Sequence, residues 1–252
     1  MSCTFLVAPD FAPEYFGGWY LLSTVLQRRA GIGLRLLMPA DAAEQRQLLD
    51  DSVVDLVYAS PFDASALIRD RGYLPLVRPR GHADEVVIAT AAEAPARCVE
   101  DLPYGCRIAL TANHDVRLIG LRLLEPADLE PERIAWRPAS SYAAVARLLL
   151  EGEADAGLFL AAAYHGLSRL TRARLRPLVE SALCDIGHVL LAHPRLGTQQ
   201  LPVLRDALLA LGDAAHRDDQ AVLDALGLER GFEAMAMEDA EFMIDLIDTL
   251  LD

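Results

Sequence analysis

The chain contains no lysine. All 23 of its basic residues are arginine, set against 37 Asp and Glu, for a net charge of −14. A polyanion of this size is repelled by nucleic acid and by anionic membrane surfaces, which recruit proteins through basic faces. A small anionic ligand is not excluded, because it feels its own pocket more than the global sum. Cysteine is sparse: Cys3, Cys98, Cys106 and Cys184 stand at spacings that match no metal-ligand pattern. Cys98 and Cys106 could pair, although reduced thiols are expected in a cytoplasmic chain. No apolar run is long enough to span a bilayer, so no membrane insertion is expected. No charged n-region and apolar h-region open the chain; Cys3 to Ala8 reads as a strand instead. The protein is therefore expected in the cytoplasm if the chain is full length, and in the periplasm if a leader has been removed. There is no P-loop, no G-x-S-x-G, no H-E-x-x-H and no dinucleotide fingerprint. No catalytic residue, metal site or cofactor is expected.

What is present is a large apolar fraction, 53% of 252 residues, enough to bury the core of one large domain or two modest lobes. The most informative stretch runs from Val53 to Ile68. Val53-Val54-Asp55-Leu56-Val57-Tyr58-Ala59 reads as a buried parallel strand. Ser60 then stands as a helix N-cap, with Pro61 at the first helical position, where a missing N–H costs nothing. Such a junction is either an ordinary βα turn or a seat for an anion or polar ligand at a helix start. Before it come a strand at 3–8, a helix at 14–30 stopped by Gly31 and Gly33, and a strand at 34–38. A helix capped by Asp41, with Glu44 three positions on, follows. With Tyr73–Val77 as the next strand, this βαβαβ opening predicts a parallel sheet.

Further strands are expected at 85–90, 107–110, 133–136, 154–160, 174–179 and 187–192. The strand at 107–110 runs into Thr111-Ala112-Asn113-His114-Asp115 and a helix, repeating the design at Ser60. Ser140-Ser141 caps a helix from Tyr142, another starts near Ala162, and helices at 201–211, 220–226 and 239–251 complete the chain. The arginines at 169, 172, 174 and 176 read as a solvated face. Trp19 reads as core and Phe11 as the exposed aromatic of its loop. His188 and His193 read as structural.

Several stretches carry a family likeness: Ala8-Pro9-Asp10 after the first strand, Val54 to Pro61, Glu151-Gly152-Glu153-Ala154-Asp155-Ala156-Gly157, and Gly227 to Phe232 before an acidic amphipathic helix. In this order they resemble the phosphate, phosphite and phosphonate-binding proteins of ABC transporters, a branch of the type II periplasmic-binding fold. The resemblance implies a two-lobed α/β chain, each lobe a mixed, mostly parallel sheet flanked by helices. Residues 1–87 plus 187–252 would form one lobe and 88–186 the other, hinging around a ligand held in the cleft between them. On that reading the ligand-binding residues are Asp10, Phe11, Tyr58, Ser60, Pro61, Phe62, Thr111, Asn113, His114, Tyr142 and Tyr164. Core packing is the competing reading for the three tyrosines, and a solvent-facing helix start for His114. The sequence departs from the family's hydroxyl-rich second-lobe turn, where Thr111 is the hydroxyl that remains.

The function expected from this resemblance is capture of a small polar or anionic ligand, a phosphonate, phosphite or phosphate-like oxyanion, as a transport component or sensor. Its partners would be an ABC permease or a signalling protein. The alternative is a cytoplasmic enzyme on the same fold, acting on a menaquinone- or thiamine-precursor type of intermediate. A regulatory partner domain without a ligand is a third reading.

Overall fold

Five of the described α-helices, those beginning at Ala42, Pro61, His114, Tyr142 and Arg169, start where a short side chain closes the first turn. In the computed structural model, which describes residues 2–9, 11, 13–212 and 217–251, Asp41 accepts the N–H groups of Ala43 and Glu44, both at 2.9 Å. Glu44 reaches back to the Ala40 N–H at 2.6 Å. Gly31 and Gly72 end their helices in the left-handed region, at φ 65° and 66°, where a Cβ would be strained. The order that results is β1 (Ser2–Val7), α1 (Phe16–Ala30), β2 (Gly33–Leu37), α2 (Ala42–Asp51), β3 (Leu56–Ala59), α3 (Pro61–Arg71) and β4 (Leu74–Pro79). There follow β5 (Val86–Ala91), β6 (Arg107–Leu110), α4 (His114–Leu124), β7 (Ala135–Pro138), α5 (Tyr142–Leu150), β8 (Ala156–Leu160), α6 (Ala161–Gly166), α7 (Arg169–Arg172) and β9 (Leu175–Glu180). The chain ends with β10 (Val189–Ala192), α8 (Gly197–Leu209), α9 (Arg217–Leu226), β11 (Phe232–Ala234) and α10 (Met237–Leu251).

The chain divides into two compact units, Met1–Ala83 with Asp185–Thr249, and Asp84–Cys184 with Leu250–Asp252. The first holds a six-stranded sheet in the order β11-β4-β10-β3-β1-β2. β1 pairs parallel with β2 and β3, as the βαβαβ pattern predicts. β4 does not extend that parallel set. It pairs antiparallel with β10 and β11, because β10, returning from the far end of the sequence, inserts between β3 and β4. The second unit holds a five-stranded sheet, β7-β6-β8-β5-β9, with β6 parallel to β7 and β8, and β5 antiparallel to its neighbours. Both sheets are mixed and flanked by helices, but parallel pairings are no majority in either. β7 lies two residues later than expected and ends on Pro138, which its edge position tolerates.

Each unit has its own core. In the first, Phe5, Trp19, Leu22, Leu26, Leu56 and Phe232 are fully buried between sheet and helices. α1 approaches α9 so closely that a Cβ on Gly18 would lie 2.3 Å from the Ala225 carbonyl oxygen. In the second, Ile88, Ile108, Ile119 and Leu124 fill one face of the sheet, and Phe159 with Val145 and Leu149 the other. All four cysteines are free thiols.

An aspartate locks the amino end of a central strand in each unit. Asp55, 6% exposed, accepts from the Thr4 N–H at 2.8 Å, the Thr4 hydroxyl at 3.0 Å and Arg195 Nε at 2.7 Å. Asp155 accepts from the Arg107 N–H at 2.7 Å and from its guanidinium at 2.7 and 3.1 Å. Arg176 departs from the solvated face expected of it. Its guanidinium is half-buried and donates to the carbonyls of Ala92, Ala94 and Ala96, so it clamps the connector after β5.

Candidate functional site

Ligands of open α/β sheets gather at the carboxyl ends of parallel strands. In the first unit that edge lies where β1 and β3 end. The Ala8 N–H donates to the Tyr58 carbonyl at 2.9 Å, which carries the chain after β1 alongside the end of β3. Asp10 lies outside the described residues. Ser60 caps α3 with extended backbone (φ −61°, ψ 160°), its Oγ accepting the Asp63 N–H at 3.4 Å. A hydroxyl that accepts one bond still has its O–H to donate. Ser60 and Pro61 are buried and Phe62 is half-buried.

Tyr58 stands between two rings, its centroid 4.6 Å from Trp19 and 5.0 Å from His188, which lies nearly parallel to it at 20°. Phe11 is half-buried rather than fully exposed, because it leans on Trp19 at 5.9 Å. One step beyond the Val189–Ala59 pairing, His188 falls opposite Ser60. The sequence offered no sign of this neighbourhood, since the two residues meet only through the antiparallel return of β10. His193 is structural, as expected: its Nδ1 accepts the Arg195 N–H at 3.1 Å.

In the second unit three parallel strands end on one edge, and each runs into a helix. After β6, Thr111 Oγ1 accepts the Asn113 N–H at 3.4 Å, and Asn113 caps α4 by accepting the Val116 N–H at 2.9 Å. His114, the first residue of α4, is exposed. After β7, the Ala139 N–H donates to the Leu110 carbonyl at 2.8 Å, extending the β6–β7 ladder. This register sets Ala139 opposite Thr111, with Ser140 and Ser141 following directly after it, and Ser141 caps α5 through the Ala144 N–H at 3.2 Å. Both serines are exposed. They belong to the hydroxyl set of this edge, although in the sequence they signal only a helix cap.

Tyr142, the first residue of α5, is half-buried and packs toward Phe159 at 6.2 Å. Tyr164, 3% exposed, packs edge-on against Phe159 at 5.4 Å, and burial pushes its hydroxyl pKa up. Tyr58 and Tyr164 are thus core residues in the structure.

The electrostatics of these helix starts are not uniform. α3 and α4 each carry a carboxylate in the first turn, Asp63 and Asp115, which complements the helix's own dipole. Asp63 takes Gln45 Nε2 at 2.5 Å, and Asp115 is buried. α5 has no acidic residue in its first turn. Among the described residues, no group of three or more His, Cys, Asp and Glu is arranged to hold a metal ion. No helix among them is long and apolar enough to cross a membrane.

Residues 5–240 match the family model of the ABC transporter, phosphonate, periplasmic substrate-binding protein. A comparison with curated protein sequences gives no match. Among solved structures, PhnD1 from Prochlorococcus marinus MIT 9301, in complex with methylphosphonate, is similar with TM-score 0.81 and 14% identity, over 99% of this chain and 98% of that one. XAC2383 from Xanthomonas citri, bound to ATP, is similar with TM-score 0.78 and 16% identity, over 100% and 98% of the two chains. The periplasmic aliphatic sulphonate binding protein SsuA from Escherichia coli is similar with TM-score 0.66 and 17% identity, over 98% and 87%. At these identities the likeness is one of fold.

Proposed function

Because the chain belongs to the family of periplasmic phosphonate-binding proteins of ABC transporters, we propose that it captures a tetrahedral oxyanion, a phosphonate or a close analogue, and delivers it to a permease. The observation that carries this reading is the hydroxyl-lined edge of the second unit. Thr111, Ser140 and Ser141 stand on adjoining strand ends, tied by the Ala139–Leu110 hydrogen bond. Together with the amide of Asn113 they offer several neutral donors and no lysine or arginine. That is a donor set for an anion that must also be released, because each bond is charge-assisted through the anion alone, without the bidentate ion pairing that an arginine would add. Ser60, Phe62 and Phe11 are the matching contacts proposed for the first unit, with His114 and Tyr142 at the rim of the second. The two units act as the lobes of the binding protein, and the site of action is the periplasm.

The phosphonate, the nucleotide and the sulphonate named for the similar structures share an anionic tetrahedral centre, which supports the ligand class. The enzymatic reading finds no support in the family match. A thermal-shift series with methylphosphonate, phosphate, phosphite and ethanesulfonate tests the proposal. A ligand at 100 times its Kd stabilises by about 2.7 kcal/mol, roughly 5–10 °C in Tm for a chain of this size. Ser60→Ala and Thr111→Val are each expected to weaken binding about tenfold or more, the loss of one hydrogen bond to an anion. The proposal fails if none of the four anions raises Tm and calorimetric titration detects no binding.

A further inference from the structure

Most buried donors described in this protein find acceptors. The Tyr73 hydroxyl, in the core, donates to the Val54 carbonyl at 2.7 Å. Trp136, the less buried of the two tryptophans, donates Nε1–H to the Pro131 carbonyl at 3.1 Å. Two buried N–H donors have no acceptor among the described residues: Arg29 Nη1, on a guanidinium whose Nη2 is already paired with Asp219, and the indole Nε1 of Trp19. Trp19 is 2% exposed and has no second donor to hold it. A buried donor left unmade is costly, and in a folded protein it asks for a cause.

Its location supplies one. Trp19 touches Tyr58 at the end of β3, Phe11 on the loop after β1, and Phe5 within β1. Its contacts with Tyr58 and Phe11 put it near the carboxyl ends of the two parallel strands, Tyr58 lying two residues before the Ser60 cap. The carboxyl edge of a parallel sheet is where ligands of such sheets bind. Phe11, half-buried, is the one of the three rings that belongs to a loop rather than a strand.

We infer that Trp19 is a ligand-binding residue of the first unit: its indole N–H donates to an oxygen of the bound oxyanion, and Phe11 is the ring displaced to admit it. This rests on the solute-binding reading above and adds a buried donor to it. An indole N–H donates and cannot accept. A deprotonated oxygen is a stronger acceptor for it than a hydroxyl oxygen, so the indole favours the fully ionised form of the ligand.

The test is calorimetric titration of the full chain with methylphosphonate and with inorganic phosphate. Wild type is compared with Trp19→Phe and with a protein carrying 3-benzothienylalanine at position 19, which keeps the bicyclic ring and lacks only the N–H. The expected result is an affinity about tenfold weaker in both variants. The benzothienyl protein is expected to melt no lower than wild type without ligand, because an unpaired donor has been removed. In a Trp136→Phe background, ligand is expected to shift the emission of Trp19. If wild type binds and the benzothienyl protein binds equally well, the inference is overturned while the solute-binding reading stands; the acceptor is then a buried water. If wild type binds neither anion, both fall.

Discussion

Replacing Asp55 by Asn removes one charge and changes no volume. The carboxylate holds three hydrogen bonds, to the Thr4 N–H, the Thr4 hydroxyl and Arg195 Nε. It thereby fastens β1, β3 and the segment after β10 at one end of the first unit's sheet. An Asn offers one oxygen and one NH2, so at least one donor loses its acceptor and faces another donor. A hydrogen bond to a charged group contributes about 1.5–3 kcal/mol. Arg195 is 45% exposed, and solvent screens its share to about 1 kcal/mol or less. The Thr4 bonds are better shielded and supply most of the rest, for a total near 2–3 kcal/mol, or roughly 5–10 °C in Tm.

The loss also depends on pH. Burial raises the Asp55 pKa, but the Arg195 and Thr4 hydrogen bonds outweigh it and hold the carboxyl below its ordinary range. A depressed folded-state pKa stabilises fully above the unfolded value, near 4, and that stabilisation is lost as pH falls through the folded value. The gap between wild type and Asp55→Asn should be constant from about pH 5.5 to 8 and should narrow in acid. Urea unfolding followed by circular dichroism across that range measures it. A cost under about 0.5 kcal/mol at pH 7, or a gap that stays constant into acid, would refute the reasoning.

Two neighbouring glycines of α1 should respond with opposite signs. Gly18→Ala drives a Cβ into the Ala225 carbonyl and should cost about 1–3 kcal/mol in denaturant unfolding; Gly17→Ala meets nothing within 4 Å and should gain up to about 1 kcal/mol. Cys184 holds φ 57° on a non-glycine residue, so Cys184→Gly should raise stability by about 0.5–1 kcal/mol, read as a rise in Tm. Arg176→Met should release the Ala92–Ala96 connector while sparing β5. Amide hydrogen exchange should accelerate in that connector by roughly tenfold or more, for about 1–2 kcal/mol of lost local stability.

The legible features of the sequence were those whose physics spans a few residues. Asp41, Ser60, Asn113 and Ser141 each close a helix through an N–H two or three positions away, so short-range pattern reading finds them. The apolar runs at 3–8, 107–110 and 187–192 likewise locate strands. β11 was not foreseen, because three residues are too few for a pattern, and neither was the partner of Asp55, 140 positions away. The tyrosines divide for the same reason: a ring on a strand end or helix can face core or solvent, and only the neighbour packed against it decides. Tyr58 is closed in by Trp19 and His188, and Tyr164 by Phe159.

By itself, then, the sequence determined the alternation of strands and helices, the capped helix starts and an acidic chain without lysine, because each follows from local chemistry or plain composition. Tertiary structure alone decided strand order, the antiparallel insertion of β10 between β3 and β4, the alignment of the β6 and β7 ends through the Ala139–Leu110 hydrogen bond, and the meeting of Tyr58 with His188. Those depend on contacts between residues tens to more than a hundred positions apart. A hydrogen-bond ladder or a packed ring selects such contacts from many that the chain's local preferences leave equally open.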